Sequence, residues 1–288
     1  MAAFWASIVM QQTVHTSRGS LERNSQVTID TISLQCGRGL SGFSEPVSRV
    51  DFRMGDVVSI VGPTGSGKTT LINDIELLAN GDTPTGRRVL INGEAADASR
   101  RDDPSRNPVA LITQHTTFLS DLPVKDFLIT HARVRIQNPA EANEFLLRTL
   151  EMANQLTGEP ILPERRMTEL SGGQARALLI ADATVICDTP IILLDEVENA
   201  GIHRSRALEI LRTHRKIFIF VTHDPHIALL SDYRLIMRGG AIVSVLPTSV
   251  EERALSSIVG RMDQALANLR ERIRQGERLE ATALGAWS

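Results

Sequence analysis

A chain of 288 residues, 42% of them hydrophobic and carrying a net charge of −3, is long enough to bury a sizeable core, and this composition excludes a disordered chain. The charge offers no bulk attraction to nucleic acid, so no nucleic-acid partner is expected, and Cys36 and Cys187, with no C-x-x-C spacing, argue against zinc and against a disulfide framework. No stretch of 18 uninterrupted apolar residues is present to span a membrane, and the short Phe4–Val9 run lacks the basic residues that open a secretory signal, so a reducing cytoplasm is the expected compartment.

Residues 1–25 read as a loosely ordered N-terminal tail. Val27–Leu34 alternates as a first strand, and Val47–Phe52 forms a second before the Met54-Gly55-Asp56 turn. The apolar run Val57–Val61 is a buried strand, followed after a glycine-rich loop by a helix over Leu71–Leu78 and a further strand at Arg88–Asn92. Val109–Thr113 is another buried strand, ending at Gln114. From there the periodicity turns helical over Val124–Ile136 and Glu141–Leu156, with Asn138-Pro139 as the boundary, and Ala175–Cys187 reads as a third, strongly apolar helix. Ile191–Leu194 and Ile217–Val221 return as strands buried on both faces, and strands separated by helices imply a mainly parallel sheet. From Ser249 to about Arg278, the residues Leu255, Val259, Met262, Leu266, Leu269 and Ile273 follow the spacing of a coiled-coil seam. That helix either packs on its own domain or pairs with a partner helix.

Residues 62–70 read Gly62-Pro63-Thr64-Gly65-Ser66-Gly67-Lys68-Thr69-Thr70, a G-x-x-x-x-G-K-[ST] loop set between strand and helix. Glycines let successive backbone N–H groups turn inward around phosphate, Lys68 supplies a point charge for the outer phosphates, and Thr69 offers a hydroxyl to Mg²⁺. The loop therefore binds a nucleoside triphosphate.

Leu170-Ser171-Gly172-Gly173-Gln174 follows, then Asp195-Glu196 at a strand end, and the order of these motifs resembles the ATP-binding cassette (ABC) ATPase family over roughly residues 27–246. The resemblance implies an α/β fold: a P-loop NTPase with a mainly parallel central sheet, an antiparallel β subdomain and a helical subdomain inserted at about 115–185. It divides the chain into the tail, an ATPase domain at 26–248 and a C-terminal helical extension at 249–288. By resemblance, Gln114 is the Q-loop residue that senses Mg²⁺ and the γ-phosphate, Asp195 holds Mg²⁺, Glu196 polarises the attacking water, and His223 contacts the γ-phosphate. Ser171, Gly172, Gly173 and Gln174 would close over the ATP of another subunit, so a homodimer or a heterodimer with a second ABC subunit is expected.

Departures from the family pattern are local. Cys36 stands where an aromatic residue stacks on adenine, Phe43 lying nearby; Val197–His203 lacks the D-loop aspartate; Ala177 and Asp182 replace arginines common in transporter relatives. The expected function is Mg²⁺-dependent ATP hydrolysis, as the ATP-binding subunit of a transporter whose permease is a separate membrane-spanning chain. A soluble ATPase switching a protein client is the alternative.

Overall fold

The computed structural model describes residues 29–103, 106–116, 118, 120–136, 138–195 and 204–278. The expected N-terminal tail, Glu196 and the Val197–His203 segment lie outside the described residues.

Two sheets organise the domain. In the smaller, β1 (Thr31–Gln35) pairs antiparallel with β2 (Arg49–Arg53) and β4 (Arg88–Ile91), and β5 (Glu94–Ala95) extends the edge, giving the order β2-β1-β4-β5. The alternation of β2, with Val50 and Phe52 buried between three exposed residues, is what one covered face requires.

The larger sheet contains β3 (Val57–Val61), β6 (Val109–Ile112), β7 (Ile191–Asp195), β8 (Ile217–Val221), β9 (Tyr233–Arg238) and β10 (Ala241–Pro247). Its order is β10-β9-β3-β8-β7-β6, parallel throughout except for the β9–β10 hairpin. The strands β3, β6, β7 and β8 feed both faces of this sheet. Ile191 and Leu193 enter one core and Ile192 and Leu194 the other, as do Ile217 and Ile219 against Phe218 and Phe220. A continuous apolar run is the sequence form of that double burial.

One core joins the large sheet to the antiparallel sheet and to α1 (Lys68–Glu76) through Leu71, Ile72 and Ile75. A short α2 (Ala98–Asp102) precedes β6. The other core lies beneath the helices α3 (Val124–Arg135), α4 (Ala142–Leu156) and α5 (Gly172–Val185), with α6 (Arg204–Arg212) and α7 (Pro225–Leu230) completing the layer. Apart from isolated bridges, the described residues between Gln114 and Pro190 contain no strand, which is the form expected of a helical insertion. The chain then runs into α8 (Val250–Arg274).

Element boundaries move by a few residues from those expected. The helix anticipated from Leu71 starts at Lys68, and the one anticipated from Ala175 starts at Gly172. In both cases the motif itself supplies the N-cap, Gly67 for α1 and Ser171 for α5, so its last residues form the first helical turn.

Candidate functional site

Four parallel strands deliver the predicted residues to one edge. In register, Ile60 lies beside Val221, Val221 beside Asp195, and Leu194 beside Ile112. The chain leaving each strand therefore emerges at the same end: the loop from Gly62 after β3, His223 after β8, Asp195 at the close of β7, and Gln114 after β6. In open α/β sheets, ligands bind outside the carboxyl ends of the strands.

The loop after β3 is shaped by its glycines and by the β9–β10 turn. Gly67 sits at φ +93°, and a Cβ there would come 2.8 Å from Gly240 Cα. A Cβ on Gly62 would lie 2.4 Å from the Met237 carbonyl oxygen. Gly240 N–H donates to the Ser66 carbonyl at 2.9 Å, and Ser66 N–H donates to that of Pro63 at 3.1 Å. The Lys68 ammonium donates to the carbonyls of Gly62 (2.9 Å) and Pro63 (3.1 Å), so the cation is held over the loop while Pro63, Thr64 and Gly65 face solvent. Thr69 and Thr70 open α1 and are exposed.

Behind the loop lies a buried ionic cluster that motif reading missed. Arg87 donates to Glu45 from Nε (2.8 Å) and Nη2 (3.0 Å), to Asp74 from Nη1 (3.0 Å), and to the Gly240 carbonyl from Nη2 (2.8 Å). Glu45 also accepts from the N–H of Gly37 and of Ile242. Partners 13 to 153 residues away in sequence leave no local signal.

His223 belongs to the Thr222-His223-Asp224-Pro225 turn. Asp224 caps α7, accepting from His226 N–H at 2.7 Å, and Pro225 fits the first helical position. His223 is left exposed at the strand end, as is Gln114, whose carbonyl receives the Arg176 guanidinium at 3.4 Å.

The second anion motif is a capping box. Ser171 Oγ accepts from Gln174 N–H at 3.3 Å, while the Gln174 side chain accepts from Ser171 N–H at 3.0 Å and donates to the Pro160 carbonyl. The Gln174 amide is thus committed within its own chain. Ser171 and Gly172 are exposed, and the first-turn N–H groups of Gly172 and Gly173 point where a helix has no carbonyl of its own to offer.

Cys36, expected at the adenine-stacking position, is half-buried, and burial followed by the nearby Glu45 carboxylate pushes its thiol up to about 12. Phe43, 78% exposed, stands on the same loop, whose Leu40 N–H donates to Gly239 beside the phosphate loop's buttress. Thr69, Asp195 and Gln114 each carry a hard oxygen donor of the kind that suits Mg²⁺, so the donor chemistry of these residues is compatible with that ion.

Fold and edge together define a P-loop NTPase. The chain matches the ABC transporter family over residues 47–199, and it belongs to that family. It is 44% identical to an uncharacterized ABC transporter ATP-binding protein, MJ0121, of Methanocaldococcus jannaschii, over 87% of this chain and 95% of that one. It is 32% identical to the sulfate/thiosulfate import ATP-binding protein CysA 1 of Rhizobium meliloti, over 73% of this chain and 61% of the relative. For the spermidine/putrescine import ATP-binding protein PotA of Lawsonia intracellularis the identity is 30%, over 75% of this chain and 58% of the relative. The chain thus spans about three fifths of these import proteins. Among solved structures, CbiO1 of Clostridium perfringens, part of the ABC transporter complex CbiONQ, matches with a TM-score of 0.60 at 19% identity, covering 82% of this chain and all of the other. This likeness is one of fold. The protein is an ATPase of the ABC type, and among its described residues no helix is long and apolar enough to cross a membrane.

Proposed function

We propose that the chain hydrolyses ATP with Mg²⁺ at a site that a second ATPase subunit completes, and that it does so as the ATP-binding subunit of a transporter. The observation that carries the chemistry is the strand register: it puts the Lys68 loop, His223, Asp195 and Gln114 on one sheet edge. Lys68 and the loop N–H groups bind the β- and γ-phosphates, and the base rests on the Cys36–Phe43 loop. Thr69, Asp195 and Gln114 would hold Mg²⁺, which offsets phosphate charge when bound. Glu196, next to Asp195 in sequence, takes the role of general base, and His223 orients the γ-phosphate and the water. Such a site works by positioning and electrostatic stabilisation, with no covalent protein intermediate.

The transport role is supported by what the relatives are called: the import proteins of R. meliloti and L. intracellularis are ATP-binding proteins of importers. A separate permease chain is the partner this role requires, and it would hold the ATPase at the inner face of the membrane. Purified protein is expected to release phosphate from ATP, to stop on chelation of Mg²⁺, and to lose activity by at least about a hundredfold in Lys68→Ala. Turnover surviving that substitution would reject the site. Capture of a polytopic membrane protein by the ATP-locked Glu196→Gln form tests the transport role, and capture of a soluble enzyme in its place would reject it.

A further inference from the structure

Away from the sheet edge, three side chains that the hydrolytic site does not use converge between two helices. His131 comes from α3, Asp182 from α5, and Cys187 from the turn just after α5. His131 and Asp182 are 3% and 0% exposed, and Cys187 is half-buried. Asp182 Oδ1 lies 2.8 Å from His131 Nδ1, and Cys187 Sγ lies 4.0 Å from His131 Nε2 and 3.8 Å from Asp182 Oδ2.

We infer that His131, Asp182 and Cys187 form a binding site for a divalent metal ion of the zinc class. An imidazole nitrogen, a thiolate and a carboxylate are the donors that select such an ion over Mg²⁺ or Ca²⁺. Bonds of about 2.3 Å to sulfur and 2.0 Å to nitrogen or oxygen put neighbouring tetrahedral donors about 3.5 Å apart. Each of the three side chains offers a ligand atom within 4.8 Å of the other two, a spread that side-chain rotation closes. His131 Nδ1 and Asp182 Oδ1, 2.8 Å apart, part to about 3.3 Å when the ion takes the place of the proton they share. Cys187 then supplies the third donor, and water the fourth.

Charge is compatible with a dication. Thiolate and carboxylate together carry two negative charges; the cations nearby are Arg135, also on α3, and Lys216, whose ammonium is 2.6 Å from Asp188. The Phe127 ring, 5.9 Å from the His131 ring, walls one side with hydrocarbon. The absence of a C-x-x-C pair argues against zinc from sequence alone, but that spacing detects only ligands clustered in the chain. Here 51 residues separate His131 from Asp182.

The test uses the full chain, stripped with chelator, titrated with Zn²⁺ and dialysed, with Co²⁺ as a spectroscopic probe. One retained equivalent per chain and a thiolate-to-cobalt absorption band are expected. Both persist in Cys36→Ser and Lys68→Ala, whereas Cys187→Ser and His131→Gln weaken binding at least about tenfold. Failure of the unmodified chain to retain an equivalent overturns the site, since His131 and Asp182 would then be only a buried ion pair. Retention by a Cys187→Ser protein with a native circular dichroism melt overturns it equally.

Discussion

Arg87 heads the fully buried side chains by volume, and its four hydrogen bonds tie together three separate pieces of the phosphate site: the loop at Glu45, helix α1 at Asp74 and the hairpin turn at Gly240. Because Gly240 packs on Gly67, the guanidinium fixes the floor on which the phosphate loop rests. Replacing it with a neutral chain strands two buried carboxylates, and breaking a buried pair in this way costs about 3–5 kcal/mol. Arg87→Met is therefore expected to lower the unfolding midpoint in urea by that equivalent and to weaken binding of a fluorescent ATP analogue. Arg87→Lys restores only part of either, since an ammonium cannot fork to Glu45 while also reaching Asp74 and Gly240. A wild-type midpoint in Arg87→Met would remove the cluster from the fold's support. The loop it supports was legible in the sequence because its chemistry needs particular residues at fixed spacing. Arg87 was not, since one arginine among many carries no pattern and its partners are distant in the chain.

At the scale of elements, the buried strands and the helices of the insertion were legible because double burial writes a continuous apolar run and amphipathicity writes a 3.6-residue period. The β9–β10 hairpin was overlooked even though Gly239-Gly240 between two apolar segments is a hairpin signal, and this hairpin buttresses the phosphate loop. The C-terminal helix shows where periodicity alone leaves a choice. Its coiled-coil seam does not face the domain: Leu255, Met262, Leu266 and Ile273 are 50%, 47%, 48% and 59% exposed. Instead α8 meets α7 through a neighbouring stripe of smaller residues, Ser256, Gly260 and Asp263. A Cβ on Gly260 would lie 2.9 Å from Cε1 of the buried His226 ring. The close approach needs glycine, and the heptad pattern, which counts only large apolar residues, is blind to it. Gly260→Leu overpacks this contact and is expected to destabilise the domain by about 1–3 kcal/mol, seen as a lower thermal midpoint with faster proteolysis of the 250–278 segment. An unchanged melt and digestion pattern would show that α8 is not held through Gly260.

Across the whole molecule, the proposed second subunit follows from where the two anion motifs sit. Three strand spacings, about 14 Å, separate β3 from β6. The Arg176 contact to the Gln114 carbonyl places the start of α5 at the β6 side, away from the Lys68 loop. Ser171 and Gly173 are thus poorly placed to reach the phosphates that their own Lys68 holds, but exposed enough to reach those of another copy. If each site joins Lys68 of one copy to Ser171 of the other, defects in the two motifs complement. Lys68→Ala alone and Ser171→Arg alone are each expected to be inactive, the first without its ammonium and the second with a bulky cation over the α5 N-terminus. Mixed in equal amounts with ATP, they form heterodimers in which one of the two sites has both an intact Lys68 and an intact Ser171. Phosphate release in the mixture, rising with the heterodimer fraction towards half the wild-type rate per heterodimer, is the expected outcome. Light scattering of Glu196→Gln with saturating Mg²⁺ and ATP should report a dimer that reverts to monomer when the nucleotide is removed. A mixture as inactive as its components, with Glu196→Gln remaining monomeric, would mean that both motifs act within one chain and would overturn the two-subunit site.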